Sequence, residues 1–295
     1  MKTYVLYHAN CYDGFGAAWA AWKRLDNKAE YFPVSYGNAP PPMELNSVVY
    51  LLDFSYPRDV LLALTEKMYH VTVLDHHKTA EVELAGLGRP AHRFDVEPAF
   101  TPPGLYVKFD LEESGASLAW EYFYELPKSG QHWTPELVKY VRDRDLWKFA
   151  MPCSREVHAW LRSHPFGFKL WDWLNYCLTD DGQYHVLVAE GKAILRSVDQ
   201  QIVVMCQYPN WIELGGHRVP CVNATVHFSE VGDYLCQQYP EVPFAAYYLD
   251  HNDGKRQWGL RSRGGFDVSA IAKQYGGGGH AAAAGFTTDI PPLLA

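Results

Sequence analysis

Four groups of acidic and histidine residues stand out in the chain: His8 with Asp13, Asp53, the run Asp75-His76-His77, and Asp143 with Asp145. Closely placed carboxylates repel one another unless a positive charge sits among them, and a divalent cation is a compact source of that charge. Mixed Asp and His donors suit manganese, or magnesium with less nitrogen ligation, better than calcium. Taken singly, most of these groups have a plainer explanation. Asp53-Phe54-Ser55 could cap a helix, His8 could be a satisfied core histidine, and Asp143-Arg144-Asp145 could be a solvated ion-pair patch. Asp75-His76-His77 resists such a reading, because ionisable residues directly after an apolar strand are costly there unless they bind something. Their joint occurrence points to a metal site.

The elements that must position these residues are legible in the first half of the chain. Tyr4 to Tyr7 reads as a strand, and Gly14 to Lys23 as a helix rich in small residues. The run from Val48 to Leu52 is a second strand ending at Asp53, and Tyr56 to Met68 is a helix with Pro57 as its start signal. Val71 to Leu74 is a third strand, ending at Asp75. Apolar strands alternating with helices imply a parallel sheet with right-handed crossovers, and ligands bind such sheets at the strand carboxyl ends. The stretch from Glu81 to Asp110 carries four prolines and reads as loop with short irregular strands. Helices are predicted for Ser114 to Tyr124, for Thr134 to Arg144 with Thr134 as N-cap, and for a long amphipathic stretch from His185 to Met205. After Tyr208-Pro209-Asn210 the character changes to strand-like runs (Pro243 to Leu249, Trp258 to Ser262) and one helix, Val268 to Gln274.

The expected fold class is therefore α/β: an N-terminal parallel-sheet domain (1–185), a connecting helix (186–208) and a smaller C-terminal α/β domain (209–295), with the active site in the cleft between them. At 295 residues, 48% hydrophobic and 20% charged, the chain has ample core for two domains. A formal net charge of −8 argues against a broad basic face for long duplex DNA. The cysteines at 11, 153, 177, 206, 221 and 236 form no C-x-x-C pair, so neither a zinc knuckle nor a disulfide framework is expected. Met1-Lys2-Thr3 runs straight into the first strand and no apolar run approaches the roughly 20 residues of a membrane span, so a soluble cytoplasmic protein is expected.

Val71 to Lys78, VTVLDHHK, resembles the signature of the DHH phosphoesterase superfamily, which includes RecJ-like exonucleases, nanoRNases, cyclic-dinucleotide phosphodiesterases and family II pyrophosphatases. HANCYDGFGAAW, LLDF and VRDRDLW fall in the matching order around it, and the tail RSRGGFDVSAIAKQYGGGGHAAAAGF is similar to the DHH-associated C-terminal domain. The resemblance implies two divalent ions, Mn2+ preferred with Mg2+ or Co2+ as alternatives, held by His8, Asp13, Asp53, His76 and Asp143, with Asp53 bridging. Asp143 is favoured over Asp145. Asp75 and His77 would be the catalytic pair, Asp75 orienting His76 and His77 facing the substrate phosphate.

In one place the chain departs from the family pattern. The family's first motif commonly carries two aspartates, and here Cys11 stands for the first while Asp13 matches the second. Cys11 could ligate as a thiolate, drawing the site towards softer metals, or be a packed thiol that leaves one ion short of a ligand.

In the tail, the glycines before His280 give a backbone able to approach phosphate closely at the start of a helix, and Arg261 with Ser262 adds a forked donor. Arg261, Ser262, Gly277, Gly278, Gly279 and His280 are thus the expected substrate-binding set. The implied activity is hydrolysis of short single-stranded oligonucleotides to mononucleotides by a two-metal-activated water. A cyclic or linear dinucleotide phosphodiesterase and a weakened nucleotide sensor are the alternatives. No membrane partner is expected, and a homodimer is left open.

Overall fold

The computed structural model describes residues 1–92, 102–124 and 133–290. The chain divides into two compact units, Met1–Ile194 and Leu195–Ala295. The first runs β1 (Thr3–His8), α1 (Tyr12–Leu25), β2 (Glu30–Val34), β3 (Val48–Leu52), α2 (Arg58–Lys67), β4 (His70–Asp75), α3 (Lys78–Glu83), β5 (Arg89–Pro90) and β6 (Gly104–Phe109). Helices α4 (Gly115–Phe123), α5 (Glu136–Asp145), α6 (Ser154–Arg162), α7 (Phe168–Thr179) and α8 (Asp181–Met205) follow, and α8 continues into the second unit.

The six strands of the first unit form one parallel sheet in the order β2-β1-β3-β4-β6-β5. Every residue of β3 and β4 is buried, as expected of parallel strands covered on both faces. Successive side chains alternate between two cores. Tyr4, Leu6, Val49, Leu51, Val71 and Val73 pack with Leu61 and Leu64 of α2, whereas Val5, Tyr50, Leu52 and Leu74 pack with Trp19 of α1 and Trp120 of α4. The small residues of α1 have a specific use. A Cβ added at Gly16 would lie 2.9 Å from Cβ of Ala116, so α1 and α4 approach at a distance that only glycine and alanine allow.

Several elements differ from the sequence expectation. Gly104–Phe109, read as part of an irregular stretch, is a strand inside the sheet between β4 and β5. Pro102-Pro103 just before it masks the pattern, and residues 93–101 of that stretch lie outside the described residues. β2 contains Pro33, which discourages a strand assignment, but β2 is an edge strand and needs no donor on its outer side. α5 takes Pro135 rather than Thr134 as its N-cap, and α6 and α7 are additional helices.

The second unit contains β7 (Asn210–Leu214), β8 (His217–Asn223), α9 (Phe228–Gln238), β9 (Phe244–Asp250), β10 (Lys255–Ser262), α10 (Val268–Gln274), β11 (Gly278–Gly279) and β12 (Ala283–Asp289). Its sheet order is β11-β12-β10-β9-β8-β7, antiparallel except for the β8–β9 pair. It therefore has two helices of its own after α8, where the sequence suggested one. The glycine run does not open a helix, which corrects the expectation. It enters β11, which pairs with β12, and a Cβ at Gly277 would lie 2.1 Å from the carbonyl oxygen of Gly285. The glycines here permit a close approach between backbones. Among the described residues, no helix is long and apolar enough to cross a membrane.

Gly16→Val would force a branched side chain into the α1–α4 contact. It should lower unfolding free energy by about 1–3 kcal/mol, the usual cost of overpacking. A denaturant titration checks this, and an unchanged midpoint would contradict the close helix contact.

Candidate metal centre

The parallel register sets the site. Tyr7 pairs with Leu52 and Leu52 with Leu74, so His8, Asp53 and Asp75 emerge side by side at the carboxyl ends of β1, β3 and β4. Asp53 leaves its strand with φ of 60°, a left-handed conformation that Asp tolerates better than most residues. It is 1% exposed. The first turn of α4 passes directly over it, because Gly115 has no Cβ; one built there would lie 2.4 Å from Cβ of Asp53.

His76 is the hub. Its Nε2 lies 3.0 Å from Oδ1 of Asp53, 3.5 Å from Oδ2 of Asp13 and 3.6 Å from Oδ2 of Asp145. Nδ1 of His8 lies 3.4 Å from Oδ2 of Asp53. Asp13, in the first turn of α1, also accepts the backbone N–H groups of Gly115 and Ala116, so the N-terminus of α4 holds its carboxylate in place. Ser114 and Ser117 cap that helix reciprocally. The donors fall into sets: His8, Cys11 and Asp53 each bring one ligand atom within 4.8 Å of the others, and Asp13, His76 and Asp145 do the same. Asp53, Asp75 and His77 form a third such set.

Two role expectations change with this geometry. Asp145, rather than Asp143, is brought to the cluster. The carboxylate of Asp143 instead accepts N–H of Ala150 at 2.8 Å, N–H of Met151 at 3.2 Å and the hydroxyl of Ser154 at 2.5 Å. It ties down the turn after α5, where Trp147 and Phe149 both adopt positive φ. The two aspartates are two residues apart on a helix, so their side chains diverge by about 200°. Asp75 also differs, because it orients His77. Its Oδ1 accepts from Nδ1 of His77 at 2.7 Å and from the backbone N–H groups of His76 and His77.

Tyr36 is an addition that no sequence signal marked. Its ring lies edge-on to His8 and His77, at centroid distances of 5.1 and 5.9 Å. In the second unit, Arg261 and Ser262 are buried at the end of β10, and the Ser262 hydroxyl donates to the carbonyl of Phe266. The N–H of Gly277 donates to the carbonyl of Ala272 in α10 and that of His280 to Ala283 in the hairpin, so both N–H groups are spent inside the unit.

The electrostatics follow from this crowding. Burial opposes a charged His76, yet Asp53, Asp145 and Asp13 outweigh it and push its pKa up to about 11. Burial also works against ionising Asp53, but hydrogen bonds from His76 and His8 hold it well below the usual carboxylate range. Asp13 pays the cost of this arrangement: burial, then the charges of Asp53 and Asp145, push it well above its ordinary value. Burial raises Asp145 likewise. Oδ2 of Asp75 is buried without a hydrogen-bond partner, and Oδ2 of Asp53 and Nδ1 of His8 are buried with only their long mutual contact of 3.4 Å. Buried polar atoms are rarely left so, and Asp and His donors in this number fit divalent cations.

A model of the DHHA1 domain matches residues 225–292. An uncharacterised protein of Acanthamoeba polyphaga mimivirus is 27% identical, over 95% of this chain and 66% of that protein, so this chain spans just under two thirds of its relative's length. The DHH domain of a member of the s1p family of ribosomal proteins is similar in structure, with a TM-score of 0.52 and 14% identity over 98% of this chain and 83% of that one. An exopolyphosphatase-related protein from Bacteroides fragilis gives a TM-score of 0.51 and 14% identity over 96% of this chain and 86% of its own. Fold and site together define an open parallel-sheet protein whose strand ends present Asp and His donors, joined to a DHHA1 domain. Asp75-His76-His77 closes β4, and the residues that match the DHHA1 domain follow α8.

Exchanging the two aspartates of α5 one at a time separates their duties. Asp145→Asn should weaken divalent-metal binding by about tenfold or more, judged against the 10–100-fold cost of outer-shell changes, with little loss of stability. Asp143→Ala should instead cost about 1–3 kcal/mol by stranding its buried donors. Metal titration and thermal melting of both variants check the pair, and the reverse pattern would refute the assignment.

A further expectation concerns pH in the metal-free protein. Because the folded pKa of His76 is raised from 6.5, its stabilising share is complete below 6.5 and is lost as pH rises towards about 11. The difference in unfolding free energy between His76→Gln and the parent should therefore shrink across that window. A difference that is flat with pH would show that His76 is not held as an imidazolium.

Proposed function

We propose that this chain is a divalent-metal-dependent phosphodiesterase that hydrolyses short single-stranded oligonucleotides to mononucleotides. The observation that carries the reading is Asp53: buried, held ionised, and flanked by His76 at 3.0 Å on one carboxylate oxygen and His8 at 3.4 Å on the other. It is the natural shared ligand between the His8 side and the Asp13–His76–Asp145 side of the cluster. His8, Asp13, Asp53, His76 and Asp145 would hold two ions, and the oxygen-rich Asp13–His76–Asp145 side favours Mn2+ or Mg2+. When bound, the ions supply Lewis-acid stabilisation of phosphate charge and lower the pKa of water at neutral pH.

The remaining steps belong to the chain's own residues. Asp75 fixes the ring of His77 through Nδ1, and His77, with a 13% exposed side chain against 2% for His76, is the histidine that can meet substrate. Burial disfavours its charge, but Asp75 raises its pKa, so it can donate a proton to a phosphate oxygen or to the departing hydroxyl. Tyr36, stacked edge-on against His8 and His77, offers a face for a nucleobase or sugar. The net charge of −8 leaves the ions to supply much of the positive charge, which favours short substrates held locally over long duplexes. In the second unit, the buried Arg261 would offer a forked donor to a phosphate group.

With added Mn2+, the full chain should release mononucleotides from five-nucleotide RNA or DNA and from linear dinucleotides. A 24-nucleotide RNA, cyclic dinucleotides, pyrophosphate and polyphosphate should turn over more slowly. The double variant Asp75→Ala, His76→Ala should be inactive, and His77→Gln should lower kcat by about 10²–10⁴-fold, the usual range for a proton-transfer residue. Bound metal with no turnover of any substrate would overturn the enzyme reading in favour of a nucleotide sensor. Fastest turnover of a dinucleotide alone would move the assignment to a second-messenger phosphodiesterase.

A further inference from the structure

Four of the six cysteines behave as small hydrophobes. Cys177, Cys206, Cys221 and Cys236 are buried within the apolar cores of their units, and Cys153 is exposed. Cys11 does neither. It is half-buried, belongs to neither apolar core of the first unit, and lies among His8, Asp53, Asp13 and Asp145. It occupies the N-cap of α1, where a side-chain oxygen would ordinarily cap the helix, yet it makes no cap hydrogen bond. Its sulfur instead lies within 4.8 Å of a ligand nitrogen of His8 and a carboxylate oxygen of Asp53. Nδ1 of His8 and Oδ2 of Asp53 are both buried and lie 3.4 Å from each other, with no closer hydrogen-bond partner, on the same side of the cluster.

We propose that Cys11, His8 and Asp53 form a thiolate-containing metal position that selects a thiophilic divalent cation such as Zn2+, Cd2+ or Co2+, beside the harder position of Asp13, His76 and Asp145. The inference rests on the two-metal reading above and refines it: the two positions differ in donor softness, so the two ions differ in preferred identity. A sulfur donor raises affinity for zinc-like ions far more than for Mn2+ or Mg2+. On binding, the S–H bond of Cys11 breaks heterolytically, the proton passes to solvent and a sulfur lone pair bonds the cation, with no change of oxidation state. In the metal-free state the thiol stays protonated, because burial and then the charges of Asp53, Asp145 and Asp13 oppose its ionisation. The cation removes that opposition.

Cobalt reports the donor directly. The metal-free full chain is titrated with Co2+ and followed by absorption. The expected result is thiolate-to-cobalt charge transfer in the near ultraviolet together with visible cobalt bands. Cys11→Ser and Cys11→Asp should lose the charge-transfer band and keep the visible ones. Competition should also shift: the parent's preference for Cd2+ over Mn2+ should fall by about tenfold or more in Cys11→Asp, a change at least as large as outer-shell substitutions produce. Visible cobalt bands without charge transfer in the parent would overturn this inference and leave the two-metal reading standing. Charge transfer that persists in both variants would overturn it as well, since another cysteine would be the ligand. Absence of any cobalt binding would overturn the metal centre itself.

Discussion

Two buried carboxylates and a third, half-buried one around a single imidazole set the terms for the first unit. Asp13, Asp53 and Asp145 converge on Nε2 of His76 at 3.0 to 3.6 Å, in surroundings where their mutual repulsion is weakly screened. Without a cation, the protein manages this by keeping His76 charged and leaving Asp13 and Asp145 hard to ionise. That compromise stores a demand for positive charge at the carboxyl edge of the sheet. A divalent ion meets the demand more fully than one proton, and so the chemistry and the electrostatics of the fold point to the same ligand.

Much of the surrounding structure serves to hold these groups against their repulsion. The parallel register brings His8, Asp53 and Asp75 to one level. The N-terminal N–H groups of α4 grip Asp13, and the absence of a side chain at Gly115 lets that helix reach Asp53. Asp143 acts at one remove. By fixing residues 150 to 154, it steadies the end of α5 from which Asp145 projects. Asp75 likewise spends one oxygen on the ring and backbone of His77 and the backbone of His76. Preorganisation of this kind places donors before any ion arrives, which reduces the reorganisation that binding requires.

The second unit is built on another plan, a mixed sheet with a single parallel pair, and its glycines have a structural duty as well as any binding one. Gly277 allows two backbones to approach within the hairpin, and Gly279 takes a φ of 136° that side chains resist. The N–H of Gly277 is bonded to α10 and that of His280 within the hairpin, and Arg261 is buried at the end of β10.

The sequence by itself determined the elements whose signals are local. The apolar runs ending in Asp53 and Asp75 fixed β3 and β4, the small-residue helix after His8 marked α1, and the Asp75-His76-His77 run marked the metal edge. It also set the helix Val268–Gln274 at its observed bounds. Elements whose signals are not local were hidden: β2 is tolerated with Pro33 only because it is an edge, and β6 is a strand only because β4 and β5 receive it. The same division holds at the site. Residue type nominated both Asp143 and Asp145, but only the direction of each side chain from α5 could separate a member of the cluster from a turn support. Resemblance to a family motif singled out Cys11, yet whether its sulfur met the core or the carboxylates depended on how α1 packs against its neighbours. Tyr36 left no trace in the sequence, because an aromatic in a loop acquires its neighbours from distant strands. Local chemistry is written residue by residue, whereas the partners of each side chain are decided by packing between elements far apart in the chain.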